Sequence, residues 1–146
     1  VEVRANWKSG RADGYRRAIE TIQRHGIAVN GCFVVGLDGD GPEVFGEILE
    51  FARESGLFDV QVTCLTPFPG TPLWERLKAE GRLLDPEATE RCTLFDINFV
   101  PDRMTVDALR AGFRDLVARL YAPENVAARS RRFREQRRAG MREVEG

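Results

Sequence analysis

The chain has 146 residues, enough for one hydrophobic core. Apolar residues make up 42% and charged residues 31%, with a formal net charge of -1. That is an ordinary globular composition, and no global field draws the chain to nucleic acid or an anionic membrane. No apolar run approaches the ~20 residues a membrane span needs. Val1-Glu-Val-Arg-Ala-Asn-Trp7 is neither a signal nor a transit peptide. It lacks an initiating Met, so we expect a piece of something longer. The three cysteines, Cys32, Cys64 and Cys92, have no cluster or framework spacing. An odd count of that kind suggests a reducing compartment, here the cytoplasm. Cys32 and Cys64 are expected to be small buried hydrophobes.

Residues 1–12 are polar and basic around Trp7 and read as a connector. Asp13 or Gly14 can cap a helix from about Tyr15 to His25, with Tyr15, Ala18, Ile19 and Ile22 at helical spacing. Gly26 is its left-handed stop. His25, the only histidine, sits in the last turn, where a surface position near the helix dipole is the plain reading. Ile27–Val35 is a β-branched run that suits a strand covered on both faces, and Gly31 marks a bulge or a close approach. Pro42 opens a helix to about Ser55, with Val44, Phe45, Ile48, Leu49 and Ala52 as its core face. Asp59–Leu65 alternates, Val60, Val62 and Cys64 on one face and Gln61, Thr63 and Leu65 on the other. The second face suits either a barrel interior or a partly exposed edge.

Pro72 opens a third helix that Gly81 stops. Asp85-Pro86 suggests a short helical turn, and Phe95, Ile97 and Phe99 alternate with Asp96 and Asn98 as in an extended segment. Thr105 caps what reads as the longest helix, with Val106, Leu109, Phe113, Leu116, Val117, Leu120 and Tyr121 as an apolar stripe. Pro123 starts a last, arginine-rich helix, read as solvated.

Two loops stand out. Gly36-Leu-Asp-Gly-Asp-Gly41 follows a strand and precedes a helix, and its glycines let a ligand approach exposed main-chain amides. Asp38 and Asp40 argue against bare phosphate and for ribose hydroxyls, a cation or an ammonium. The loop fails both the G-x-G-x-x-G fingerprint and the calcium-loop pattern. Thr66-Pro-Phe-Pro-Gly-Thr-Pro72 is stiffened by three prolines and holds its carbonyls and amides in place, as recognition of a planar base requires. Either loop can also be only a tight turn between strand and helix. Both follow the carboxyl ends of their strands, where parallel α/β folds bind ligands. No nucleophile–His–Asp set and no paired carboxylates for acid–base work are present.

Phe33-Val-Val-Gly-Leu-Asp-Gly-Asp40 followed by Pro67-Phe-Pro-Gly-Thr-Pro72 resembles the fifth and sixth βα units of a radical S-adenosylmethionine enzyme. Trp74-Glu-Arg-Leu77, Asn98-Phe-Val-Pro101, Met104 and Leu120-Tyr-Ala-Pro-Glu124 are similar to the C-terminal helical extension of the cobalamin-binding members. The resemblance covers about residues 2–135. It implies an α/β fold: the C-terminal βα units of an incomplete parallel TIM-like barrel over residues 1–81, then a helical extension over 82–146.

The resemblance further implies S-adenosylmethionine as cofactor, with its adenosyl part held by Val34, Val35, Gly36 and Asp40 and by Leu65, Thr66 and Pro67. Asp40 stands where the family usually has Glu. A [4Fe-4S] cluster and cobalamin belong to the full-length enzyme, their ligands outside this chain, and the reaction is methyl or related group transfer to a small-molecule substrate. The implied partners are the N-terminal part of the barrel and a cobalamin domain. Unpaired sheet edges would offer a route to self-association. As supplied, the chain is expected to be inactive alone. Two other classes compete: a non-catalytic scaffold contacting nucleic acid or protein through its arginine helix, and a small self-contained nucleotide-binding domain.

Overall fold

A computed structural model of the chain describes residues 12–144. The opening with Trp7, read above as a connector, lies outside the described residues. The elements are α1 (Ala12–Arg24), β1 (Asn30–Val35), α2 (Val44–Ser55), β2 (Asp59–Cys64), α3 (Pro72–Ala79), α4 (Val106–Leu120) and α5 (Pro123–Val144), with a 3₁₀ turn at Thr89–Arg91. β1 and β2 pair with each other. Asp59 N donates to Val29 O at 3.3 Å near one end, and Leu65 N to Val35 O at 2.8 Å at the other. The partner numbers differ by 30 at both ends, a constant offset that only parallel strands produce. The expected α/β class therefore holds as a two-stranded parallel sheet with helices.

The chain divides into two compact units. One comprises Val34–Phe45 and Val62–Asp115; the other comprises residues 12–33, Gly46–Gln61 and residues 116–144. Both strands begin in the second unit and end in the first.

In the second unit α1 packs on α5. Of the four apolar positions expected to face inward on α1, only Ile19 is buried; Tyr15 and Ile22 are exposed, and Ala18 is too. The place is taken by Gln23, which is fully buried. Its amide nitrogen donates to Gly56 O at 2.8 Å and Gln136 Oε1 at 2.6 Å, and its oxygen accepts from Phe58 N at 3.0 Å. A buried amide with this many partners carries little desolvation penalty. The helix starts at Ala12, so Asp13 lies inside its first turn. It ends at Arg24, and Gly26 two residues on takes φ +83°, which favours a residue without a Cβ. Ile27 N then turns back to Ile22 O, which delays β1 to Asn30. His25 is exposed, as expected.

Gly31 sits where an added Cβ would lie 2.5 Å from Leu57 Cδ1, the close approach its place in the strand signalled. The double-sided cover expected for β1 is absent in this chain: Phe33 and Val35 are buried, whereas Val34 is 43% exposed. Cys32 is exposed, against expectation, because it shares the outward face with Val34, while Cys64 is buried. The Tyr121 hydroxyl donates to Val60 O at 2.7 Å. At 22 residues α5 is longer than α4 at 15, contrary to the expected ranking. Most of its arginines are exposed, but Arg129 is buried and donates to Leu120 O at 2.7 Å, covering the carbonyl end of α4.

In the first unit Val35, Val62, Cys64, Leu77, Phe99 and Leu109 are buried together with Pro67. Thr105 caps α4 as expected, Ala108 N donating to its Oγ1 at 3.0 Å. Thr71 caps α3, with Pro72 in the first turn. The 82–104 segment is irregular apart from the 3₁₀ turn and an antiparallel bridge between Leu83 and Phe99. Asn98 does not alternate outward with Asp96: it is buried, its amide donating to Asp85 O at 2.8 Å.

Candidate functional site

The Leu65 N to Val35 O bond sets the ends of β1 and β2 side by side, so Gly36 and Thr66 start their loops at the same end of the sheet. All seven residues expected at the site fall in the first unit. Val35, Gly36, Asp40, Thr66 and Pro67 are buried, Leu65 is half-buried, and Val34 is exposed. Thr66 turns its hydroxyl back to Cys64 O at 3.2 Å. Phe68, at the tip of the stiff second loop, is 41% exposed.

The first loop is held from within. Asp40 Oδ2 accepts from Gly36 N and Leu37 N, both at 3.0 Å. Asp40 N donates to Leu37 O at 3.0 Å, closing a turn. Gly39 N donates to both oxygens of Asp102, at 3.0 and 3.3 Å, and Arg103 donates to Gly39 O at 3.0 Å. The amides expected to be open to a ligand are thus taken by side chains. Gly36 has φ +87°, and a Cβ there would sit 3.0 Å from Phe99 Cζ and 3.1 Å from Leu109 Cδ2. Its missing side chain therefore serves the close approach of those two residues. Gly39, at φ +89°, has open space where a Cβ would lie, so its glycine is required by backbone conformation alone.

The two aspartates of this loop differ in electrostatics. Burial pushes the Asp40 carboxyl above the ordinary carboxylate value, and the two amides only partly oppose it. Asp38 forms ion pairs with Arg76 and Arg82, the latter at 3.0 Å. Burial alone would raise it, but hydrogen bonds and charge from the two arginines prevail and hold it below the ordinary value. Neither aspartate reads as a cation ligand: one is spent on loop amides, the other on guanidinium groups.

Sequence reasoning missed Arg76, Arg82, Asp102 and Arg103, which clamp the loop. They lie 38 to 64 residues away from their partners, so no local pattern announces them.

Metal ligands are a separate matter. Among the described residues no three His, Cys, Asp or Glu side chains gather as metal ligands. Burial pushes the Cys64 thiol up to about 12, far from the thiolate a cluster requires. The described residues do not fit an iron–sulfur cluster. Among the described residues no helix is long and apolar enough to cross a membrane.

The family described as a domain of unknown function (DUF4070) matches residues 71–144, just over half of the chain. Hopanoid C-2 methylase of Rhodopseudomonas palustris is 32% identical over 76% of this chain and 20% of its own length. Bacteriochlorophyllide d C-12(1)-methyltransferase of Chlorobaculum tepidum is 28% identical over 80% of this chain and 25% of its own length. The chain belongs to the DUF4070 family, and its match to the C-terminal part of cobalamin-binding radical S-adenosylmethionine enzymes holds. It spans a quarter or less of the length of these relatives.

Proposed function

We propose that this chain is the C-terminal part of a radical S-adenosylmethionine methyltransferase, and that its two strands are the last rungs of a parallel barrel. The loops after β1 and β2 supply part of the adenosine pocket. The observation that carries this reading is the parallel register, which brings Gly36 and Thr66 to one end of adjacent strands. In parallel α/β folds, ligands sit outside that end. The relatives' names support methyl transfer.

In this reading Val34, Leu65 and the neighbouring main chain offer apolar and backbone contacts to the adenosine, and Phe68 lies at hand for stacking. Val35, Pro67 and Thr66 hold those strand ends from beneath. Asp40 acts through the loop, fixing the amides of Gly36 and Leu37 so that the backbone keeps one shape. The cluster and cobalamin, bound by the rest of the barrel and a cobalamin domain, would supply the radical and methyl-carrying chemistry. The chain's own part is to bind and orient.

Titration of the ¹⁵N-labelled chain with S-adenosylhomocysteine tests this. Amide shifts confined to residues 34–41 and 65–71 are expected at millimolar ligand. Shifts centred elsewhere, or none, would overturn the pocket assignment.

A further inference from the structure

A cavity of about 370 Å³ lies in the first unit, lined by Arg91, Phe95, Asp96, Arg110, Phe113 and Arg114 among others. It involves none of the residues assigned to adenosine. Its volume falls within the roughly 300–1,000 Å³ of small-molecule sites. Arg110 and Arg114 are four apart on α4, so their side chains emerge on one face, with Phe113 between them along the helix. Like charges at that spacing weaken a helix, and packing does not demand them, since both side chains are exposed. Arg91 comes from the 3₁₀ turn and adds a third guanidinium.

The acidic groups nearby leave these cations in excess. Arg110 is paired with Asp107 at 2.7 Å. Asp96 accepts from the Thr93 hydroxyl at 2.7 Å and is the one carboxylate in the lining. Neither the Arg91 nor the Arg114 guanidinium has an ion-pair or hydrogen-bond partner among the described residues. Phe113 is buried and forms an apolar wall, whereas Phe95 is 59% exposed on the rim. The segment presenting Phe95 is fixed. Leu94 before it has φ +69°, unusual for a non-glycine residue, and its carbonyl accepts from Cys64 N at 2.7 Å. Phe95 N and Asp96 N both donate to Thr93 Oγ1. A large aromatic ring is thus held in solvent by a loop that has little freedom to fold it inward.

We propose that this cavity is a second binding site, for a small organic anion: a phosphate or carboxylate head joined to a flat apolar body. The planar forks of Arg91 and Arg114 match paired oxyanion oxygens. The rings of Phe95 and Phe113 take the apolar part. Carboxylate and phosphate share this recognition chemistry, so both are tested.

The experiment is calorimetric titration of the whole chain with phenyl phosphate, benzoate and inorganic phosphate at low salt. Phenyl phosphate, benzoate or both are expected to bind, more tightly than inorganic phosphate. Arg91→Gln with Arg114→Gln should weaken that binding by at least about tenfold, as expected when hydrogen bonds to charged groups are lost. Phe95→Ala should also weaken it, while Arg138→Gln on α5 should change nothing. All the altered side chains are exposed, so far-UV circular dichroism should be unchanged. The proposal is overturned if neither aromatic anion binds, if inorganic phosphate binds as tightly as phenyl phosphate, or if the double arginine variant binds like the parent.

Discussion

Asp38 and Asp40 are two positions apart and answer to opposite forces. Asp38 is partly exposed and held by two guanidinium groups, so Asp38→Asn should cost about 0.2–1 kcal/mol at neutral pH, the range of exposed ion pairs. Its lowered folded value fixes the sign: the stabilisation is present above the unfolded value of about 3.9 and disappears as pH falls through the folded one. Asp40 is raised by burial, so its contribution favours folding at low pH and is lost as pH rises through its folded value. Urea midpoints of the parent and of Asp38→Asn and Asp40→Asn between pH 2 and 7 should show the two differences moving in opposite directions. Parallel curves would refute the assignment. The sequence showed both carboxylates and the glycines around them. It did not show that Asp40 turns into its own loop, because the same carboxylate could equally have faced a ligand.

Among the elements, glycine in a helix separates local preference from packing. Gly46 lies in α2 with open space where a Cβ would be, and Gly46→Ala should stabilise by up to about 1 kcal/mol through helix propensity. Gly140 in α5 has the same propensity deficit, but a Cβ there would lie 2.0 Å from the carbonyl oxygen of Arg24. A main-chain atom cannot swing aside, so Gly140→Ala should destabilise by about 1–3 kcal/mol, the cost of overpacking. Thermal unfolding of the two variants reads the contrast directly. Helix ends were legible for a related reason. Gly26, Thr105, Pro72, Gly81 and Pro123 act through their own backbone or the next turn, and each terminates or starts its helix where expected. The inward face of α1 was not legible, because Gln23 is buried by partners 33 and 113 residues away.

For the molecule as a whole, the ligand inventory leads to a simple expectation. Anaerobic incubation with iron and sulfide should leave the purified chain without a stoichiometric cluster, measured as iron and acid-labile sulfide per chain. The reason is chemical: among the described residues no ligand trio exists, and Cys64 keeps its proton. A stoichiometric, reducible cluster would contradict the proposal that cluster ligands lie outside this chain.

The amino-acid order alone determined the α/β succession, most of the helix caps and stops, and the family, since each depends on residues close together in the chain; α1, which includes Asp13, and α2, which starts at Val44 past Pro42, depart from the expected starts. The parallel register was anticipated by the βα spacing and is seen in hydrogen bonds. Folding alone decided which polar groups are spent on structure. The loop amides go to Asp40 and Asp102, Asp38 goes to Arg76 and Arg82, and Arg91 and Arg114 are left with charge to offer. The pairings with Asp102, Arg76 and Arg82 join residues 38 to 63 apart in sequence, and their energies depend on burial and distance, which no linear pattern encodes.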